Sequence, residues 1–189
     1  MTATTHEDIL IRPAQLHEHS EVGDLTALAY LTDGHLTFGE EDPYLSVLRD
    51  ARSRAEGAEL LVAADTAGTL LGTVTYAPHG SPLQDIGVPG EAEFRMLAVS
   101  PRARGRGVGM RLVRACIARA QAEEGVVRVV MSTSPTMLGA HRIYRRLGFV
   151  RTPQRDWDPV PGLTLLTYKL ELQTTSDPLP LVKDRHTRH

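Results

Sequence analysis

Apolar residues along the chain fall into short runs and helical repeats. Seven strands are predicted where short apolar runs are bounded by proline, glycine or polar residues. These runs cover residues 8–12, 59–65, 69–77, 91–99, 126–133, 149–157 and 163–172. Four helices are predicted where apolar residues recur at steps of three and four. They cover residues 20–32, 43–56, 108–121 and 135–147. The order βααβββαβαββ predicts a mixed sheet flanked by helices.

The connection between the fourth predicted strand and the third predicted helix carries the most specific chemistry. It reads PRARGRGVGM, in which Gly105, Gly107 and Gly109 alternate with bulkier residues. Glycine lets a ligand approach the backbone closely, and the first turn of a helix offers N–H groups that have no partner in the chain. The helix dipole and the neighbouring arginines add positive charge. The connection is therefore predicted to bind an anion such as a phosphate.

Two common phosphate-binding motifs do not match this connection. A P-loop requires a lysine followed by serine or threonine, and neither pair follows these glycines. A dinucleotide-binding turn requires a third glycine where Met110 stands. The pattern that does match is RxxGxG, formed by Arg104, Gly107 and Gly109. The alternative interpretation is a tight strand-to-helix connection that binds nothing.

Together with the preceding LAVSP, this turn resembles the pyrophosphate-binding turn of the GCN5-related N-acetyltransferase (GNAT) family. A second resemblance lies downstream, in a helix pattern that this family commonly shows as NxxAxxxYxxxGF. Here Ala140, Tyr144, Gly148 and Phe149 keep the pattern, whereas Met137 replaces the asparagine. The two motifs lie about 35 residues apart, so the resemblance spans more than one element.

The resemblance implies a fold, an acyl donor and the residues that bind the donor. The implied fold is one α/β (α+β) domain over residues 8–172, with a mixed, mostly antiparallel sheet of about seven strands and about four flanking helices. Residues 173–189 have no periodic apolar face and are expected to form a flexible tail. Acetyl-CoA is the implied donor. Its implied binding residues are Leu97, Ala98, Val99, Arg104, Gly105, Arg106, Gly107, Val108, Gly109 and Met110.

Two residues are candidates for proton transfer. Tyr144 matches the family tyrosine that returns a proton to the leaving thiolate; the alternative is a core tyrosine on an apolar helix face. Glu93 aligns with a carboxylate that acts as general base in the histone-modifying branch of the family. The alternatives for Glu93 are an ordinary ion pair with Arg95 and proton loss from the acceptor through waters. A main-chain N–H near Leu97 is the implied donor to the carbonyl oxygen.

Composition limits the class of protein and the cellular location in which this chemistry is expected. The chain has 189 residues, a formal charge of −2 and one cysteine, so neither a disulfide framework nor a general attraction to nucleic acid is indicated. No run of about 18 apolar residues occurs, and no leader or membrane span is indicated. We expect a cytoplasmic protein without nucleic-acid or membrane partners, either a monomer or a homodimer.

The remaining candidate residues are weaker. His17 and His19 lack further ligands at suitable spacing, so no metal site is predicted, and Cys116 is predicted to be a core thiol. His141, in the same helix as Tyr144, could face the cofactor but is expected at the surface. The acidic residues of the loop after the first helix could attract a cationic amine or could simply be solvated. These residues are Asp33, Glu40, Glu41 and Asp42.

The function predicted from these residues is transfer of an acetyl group from acetyl-CoA to a primary amine, by direct attack in a ternary complex. The acceptor is expected to be a small molecule or a peptide amine. The alternative is a non-catalytic module that binds acyl-CoA as a sensor or as an interaction surface.

Overall fold

The computed structural model describes residues 9–173, which form a mixed sheet with helices packed on it. The strands are β1 (Leu10–Pro13), β2 (Glu59–Ala64), β3 (Leu70–Ala77), β4 (Glu91–Val99), β5 (Arg128–Thr133), β6 (Val150–Arg151), β7 (Trp157–Val160) and β8 (Leu163–Glu171). The α-helices are α1 (His19–Thr32), α2 (Tyr44–Arg49), α3 (Ala51–Gly57), α4 (Val108–Ala122) and α5 (Leu138–Arg146). The predicted fold class is confirmed, with eight strands and five α-helices in the described residues.

Two predicted elements are each divided in the structure. The predicted helix at 43–56 becomes α2 and α3, because Asp50 between them has a ψ of 66°, outside the helical range. The Asp50 carboxylate instead accepts the Ser53 amide at 3.0 Å and caps α3. The predicted strand at 149–157 becomes β6 and β7, separated by a 3-10 turn at Pro153–Arg155. Proline cannot donate to a strand ladder, which explains the interruption.

Helix α5 begins later than predicted. The sequence predicts helix from residue 135, whereas residues 134–137 form a turn closed by a hydrogen bond of 3.1 Å from the Met137 amide to the Ser134 carbonyl. The helix then starts at Leu138. This turn holds Thr136 and Met137 beside the groove described below.

The strands are ordered β1-β2-β3-β4-β5-β8-β6 across the sheet, and β7 pairs with β8. Every pairing is antiparallel except that of β4 with β5, which is parallel. Neighbouring parallel strands need a long crossover connection, because a short turn cannot return the chain to the same end of the sheet. Helix α4 forms this connection between β4 and β5. The predicted mixed, mostly antiparallel sheet is therefore confirmed.

The parallel pair opens partway along its length. β4 and β5 pair only from Glu91 opposite Arg128 to Glu93 opposite Val130, although β4 continues to Val99. On its other side, β4 has a bulge against β3, where Met96 has a φ of 53°. A bulge bends its strand and increases the local twist, so β4 turns away from β5 after residue 93. The main chain of residues 94–99 consequently has an edge that β5 does not cover.

Apolar residues pack on both faces of the sheet. The largest cluster joins β4 and β5 to α4 and α5 and includes Phe94, Leu112, Met131 and Tyr144, all less than 4% exposed. Two smaller clusters lie under α1, α2 and α3. Burial of a large apolar side chain stabilises the fold by roughly 1.5–3 kcal/mol. These clusters therefore fix the positions of α1 and α5, the two helices beside the open edge of β4.

No helix within residues 9–173 combines the length and the apolar character needed to cross a bilayer. The predicted tail at 173–189 lies outside the described residues apart from Gln173. The predicted extent of one domain over residues 8–172 stays a prediction.

Candidate active site

A groove of about 840 Å³ runs along the open edge of β4. The end of α1, the end of β4, the glycine turn and α5 form its walls. Nine of the ten predicted donor-binding residues line it: Leu97, Ala98, Val99, Arg104, Gly105, Gly107, Val108, Gly109 and Met110. Arg106 is not among the lining residues. The structure therefore brings the strand and the glycine turn together in one continuous surface.

The glycine turn presents main-chain donors to this groove. Gly107 has a left-handed φ of 76° and immediately precedes α4. The first main-chain hydrogen bond at this end of the helix joins the Arg111 N–H to the Gly107 carbonyl at 3.1 Å. The N–H groups of Val108, Gly109 and Met110 come earlier in the helix and have no helical acceptor. With the positive end of the helix dipole, they form an anion-binding site.

The glycines of this turn serve two different purposes. A Cβ added at Gly107 would have no atom within 4 Å other than those of Gly107 and its two chain neighbours, so this face of the turn is open. A Cβ added at Gly109 would lie 2.8 Å from Ile143 Cδ1, because α5 packs directly against the start of α4. Gly107 thus leaves room for a ligand, whereas Gly109 allows the two helices to approach each other.

An ion pair crosses the groove beside the turn. Arg104 Nη2 lies 2.6 Å from Asp33 Oδ1, with the two side chains 44% and 34% exposed. Asp33 also lies 3.9 Å from the His35 ring, whose other nitrogen is 3.4 Å from the Thr136 hydroxyl. Asp33 was predicted only as an acidic loop residue, because its partner is 71 positions away in sequence. Arg104 is thus held at the groove by a carboxylate that an anionic ligand can replace.

A smaller cavity borders the groove and lies in the gap between β4 and β5. Its volume is about 30 Å³, room for about one or two waters. The groove and this cavity share Tyr30, Leu97, Met137 and Ala140. Tyr144 lines the small cavity only. Tyr144, the predicted acid, therefore lies at a cavity that borders the groove.

Tyr144 belongs to a cluster of aromatic rings. Its ring lies 5.8 Å from Phe94 and 6.0 Å from both Phe149 and Tyr168. The residue is 3% exposed, and burial raises the pKa of its hydroxyl. Within residues 9–173 the hydroxyl makes no hydrogen bond to the protein, while the side chain lines the small cavity. The two interpretations, a core ring and a proton donor, are therefore compatible.

Glu93 lies at the last paired position before β4 and β5 diverge. Its side chain is completely buried and lines neither cavity. One carboxylate oxygen accepts the amides of Asp85, Ile86 and Gly87 at 3.0, 3.0 and 3.1 Å. The other oxygen is buried without a partner in the described chain. Burial outweighs the amide bonds and raises the pKa of Glu93 to about 7.

Three charged residues at alternate positions of β4, namely Glu91, Glu93 and Arg95, bind the loop at 78–90. Glu91, 1% exposed, pairs with Arg155 at 2.8 Å and with Arg128 at 3.2 Å. Arg95 pairs with Asp85 at 2.6 Å rather than with Glu93, the partner considered from sequence. This arrangement could not be predicted, because Arg155 and the loop contact β4 only in the folded chain.

The weaker candidates are placed as follows. Cys116 is fully buried, and burial raises the pKa of its thiol, which agrees with a core thiol. His141 was predicted at the surface, which is wrong: it is 7% exposed, and its ring nitrogen lies 3.1 Å from the Ser134 carbonyl. Asp42 accepts the Phe38 and Tyr44 amides. Within residues 9–173 no group of three or more His, Cys, Asp or Glu side chains could hold a metal ion.

The relatives found by comparison with known proteins are named as acetyltransferases. An uncharacterised N-acetyltransferase of Schizosaccharomyces pombe is 32% identical over 111 residues, 59% of this chain and 63% of the relative. The L-methionine sulfoximine/L-methionine sulfone acetyltransferase of Pseudomonas paraeruginosa is 38% identical over 102 residues, 53% of this chain and 55% of the relative. The chain thus spans less than two thirds of the length of these relatives.

The fold also matches solved structures. An acetyltransferase from Salmonella typhimurium, solved with acetyl-CoA, has a TM-score of 0.63 at 18% identity and covers 92% of this chain and 99% of its own. In addition, the profile of the acetyltransferase (GNAT) family matches residues 25–149, about two thirds of the chain. Since that match takes in the open strand, the glycine turn and the Tyr144 helix, the chain belongs to the acetyltransferase (GNAT) family.

Proposed function

We propose that this protein transfers an acetyl group from acetyl-CoA to a primary amine of a small molecule, by direct attack in a ternary complex. The observation that carries the proposal is the continuity of the open β4 edge with the amide-rich turn at the start of α4. The curated relatives are N-acetyltransferases by name, and the similar Salmonella structure holds acetyl-CoA. We also place the protein in the cytoplasm, without a nucleic-acid partner, as a monomer or homodimer.

The residues of the groove suit the parts of acetyl-CoA. The N–H groups of Val108, Gly109 and Met110 and the Arg104 guanidinium suit the diphosphate. The uncovered main chain of residues 97–99 can pair with the amides of the pantetheine arm, as a neighbouring strand would. The thioester would then lie at the deep end of the groove.

The acceptor must lose a proton to become a nucleophile. A primary ammonium has a pKa of roughly 10 and cannot attack while it is protonated, so a positioned base with a pKa near 7 speeds the reaction by accepting its proton. We assign this role to Glu93, whose raised pKa suits it. Because Glu93 lines neither cavity, the proton reaches it through water rather than by direct contact.

The attack forms a bond from nitrogen to the carbonyl carbon and moves negative charge onto the carbonyl oxygen. A main-chain N–H of the uncovered β4 edge, near Leu97, stabilises that charge. Collapse of the intermediate breaks the carbon–sulfur bond. The nitrogen releases its second proton to water, which leaves the neutral amide, and the thiolate takes a proton from the Tyr144 hydroxyl. A phenol whose pKa burial has raised regains its proton from solvent after each turnover.

A thiol-release screen tests the proposed function. Purified full-length protein is incubated with acetyl-CoA and, one at a time, amino acids, aminoglycosides, polyamines and an N-terminal peptide. Release of free thiol with at least one amine, together with a mass increase of about 42 Da in that amine, supports acetyl transfer. Binding of acetyl-CoA without thiol release from any class would instead support the sensor alternative.

Changing Glu93 to glutamine is expected to lower turnover about tenfold at pH 7. This loss is smaller than is typical for a base in direct contact with substrate, because the carboxylate lies outside the cavities. In the parent protein the rate should rise as the pH passes through about 7, where Glu93 loses its proton. In the variant this rise should disappear. The measurement is kcat against pH from 5.5 to 9.

The control for this prediction is Glu91→Gln, which alters the neighbouring carboxylate on the same face of β4. Glu91 also accepts a loop amide, that of Val88, but its pKa is lowered by Arg155 against the effect of burial. Glu91→Gln should keep the pH dependence even if it lowers stability. Equal pH profiles of Glu93→Gln and the parent protein would remove Glu93 from the mechanism.

Changing Asp33 to asparagine is expected to increase acetyl-CoA affinity about two- to fivefold. An exposed ion pair is worth up to about 1 kcal/mol, and its loss frees Arg104 for the diphosphate. The measurement is calorimetric titration at low salt. The matched control is Asp24→Asn, which removes the same charge from α1, the helix that ends directly before Asp33. Asp24 lies 3.9 Å from Arg49, outside the groove. Equal gains in the two variants would indicate a general charge effect.

A further inference from the structure

Four residues line both the groove and the small cavity, so they lie at the border between the two spaces. They are Tyr30, Leu97, Met137 and Ala140. Tyr30 belongs to α1, Leu97 to β4 and Ala140 to α5. Met137 lies in the turn before α5, at the position where the family pattern has asparagine. Of the four, Met137 is therefore the one that no helix or strand holds, and its unbranched side chain can adapt to its surroundings.

A hydrogen bond holds the Met137 side chain toward β5. The Thr133 hydroxyl donates to Met137 Sδ at 3.4 Å. Thr133 is the last residue of β5, is buried and also lines the small cavity. The Met137 amide donates to the Ser134 carbonyl at 3.1 Å, which closes the turn that carries the residue. The main chain and the sulfur of Met137 are thus both held beside the cavity.

The small cavity matches the acyl end of acetyl-CoA in size. Its volume of about 30 Å³ is room for about one or two waters, and the acetyl carbonyl carbon carries two groups of this size, an oxygen and a methyl group. Three apolar lining residues, each at most 7% exposed, are Phe94, Met96 and Met131. Arg95 also lines the cavity, but its guanidinium is bound by two residues of the loop at 78–90 that do not line it. The space therefore suits a methyl group.

The proposed acid places the thioester at the border of the two spaces. Tyr144 lines the small cavity and not the groove, so the leaving sulfur must lie near the border to take a proton from the Tyr144 hydroxyl. In the proposed mechanism the carbonyl oxygen faces a main-chain N–H near Leu97. The carbonyl carbon has three substituents, and two of them, sulfur and oxygen, are placed in this way. The third, the methyl group, is left to enter the small cavity.

We propose that the small cavity receives the methyl group of acetyl-CoA and that Met137 limits the transferred acyl group to two carbons. This inference rests on the proposed function and adds to it the selectivity for the acyl chain. Propionyl and butyryl groups carry one and two further methylenes, which need more space than the cavity has. One methylene in an apolar pocket changes kcat/KM by about 10- to 200-fold.

The test compares acetyl-, propionyl- and butyryl-CoA as donors to an amine that reacts in the thiol-release screen. In the parent protein, kcat/KM should be at least tenfold lower for propionyl-CoA than for acetyl-CoA, and lower again for butyryl-CoA. Met137→Ala should raise the ratio of the propionyl to the acetyl value at least tenfold. Met137 belongs to none of the three apolar clusters of the described residues, so we expect this variant to fold, which thermal unfolding checks.

Two further variants separate the effect of Met137 from a general change in the groove. The matched control is Leu138→Ala, because Leu138 is exposed and lines the groove but not the small cavity. It should keep the propionyl-to-acetyl ratio within a factor of two. Thr133→Val removes the hydroxyl that holds the Met137 sulfur, and should raise the ratio about threefold. Equal ratios in Met137→Ala and the parent protein would overturn the inference.

A binding measurement distinguishes failure of this inference from failure of the proposed function. The parent protein and Met137→Ala are titrated with acetyl-CoA and butyryl-CoA by calorimetry, without an acceptor. The parent protein should bind butyryl-CoA at least threefold more weakly than acetyl-CoA, and the variant should bind the two equally. These affinities without thiol release with any amine would support the acyl pocket and contradict acetyl transfer. Equal thiol release from all three donors in the parent protein would support acyl transfer and contradict the inference.

Discussion

Changing Tyr144 to phenylalanine is expected to lower kcat about a hundredfold, with little change in the affinity for acetyl-CoA. The leaving thiolate needs a proton, and a positioned acid typically contributes a factor of 10² or more. Such a loss corresponds to about 2.7 kcal/mol of activation free energy. The residue lines the small cavity that borders the groove, away from the glycine turn that is proposed to bind the diphosphate. Steady-state kinetics and calorimetric titration with acetyl-CoA together measure the two quantities.

The matched control for this variant is Tyr168→Phe. Tyr168 is 6% exposed and its ring lies 6.0 Å from that of Tyr144, so it shares the aromatic cluster. It lines neither cavity, and Arg151 lies over its ring at 5.2 Å. Loss of its hydroxyl should leave kcat within a factor of three. If both variants lose turnover equally, the cluster acts through packing and Tyr144 is not the acid.

The parts of the site that could be predicted from sequence are formed by residues that lie close together in the sequence. The glycine turn is an example, since its conformation follows from Gly107 at a left-handed position and from the helix that begins at the next residue. The strand that precedes it is likewise contiguous with it. Local chemistry of this kind needs no knowledge of the tertiary fold, which is why nine of the ten residues predicted to bind the donor line a single groove.

The parts that could not be predicted depend on contacts between distant residues. Glu93 could be recognised as a candidate base by its position on β4, but its three amide donors come from a loop whose path is set by folding. The partner of Arg104 lies directly after α1, and the partners of Glu91 lie on β5 and before β7. Sequence periodicity shows that a strand is buried on one face, not which charges meet there.

Element boundaries failed for a similar reason. The predicted helix at 43–56 has apolar residues at helical spacing on both sides of Asp50. In the fold, the chain turns at Asp50 so that Leu45 and Leu48 pack beside α1 while Ala51 joins a different apolar cluster. Packing against two separate clusters overrides the local helical pattern. The same break positions α2, whose Tyr44 lies beside Arg95.

Changing Gly107 to valine is expected to weaken acetyl-CoA binding about a hundredfold. A side chain at this position would extend into the open side of the turn, where only Gly107 and its chain neighbours have atoms within 4 Å of an added Cβ. That space is where the diphosphate must approach the N–H groups of α4. Losing two hydrogen bonds to a charged group costs roughly 3 kcal/mol. Valine also disfavours the φ of 76°, so part of any effect could come from backbone strain.

Gly125→Val separates the two causes, because Gly125 has a φ of 80° and an added Cβ there would also meet nothing within 4 Å. It lies beyond the other end of α4, a helix of 15 residues and about 22 Å in length. Both variants carry the same backbone strain, which thermal unfolding measures, but only Gly107→Val blocks the proposed diphosphate site. Calorimetric titration should therefore show weakened binding in one variant alone. Undiminished affinity in Gly107→Val, with the variant folded, would contradict the assignment of the turn to the diphosphate, since the main-chain donors would then not be in contact with it.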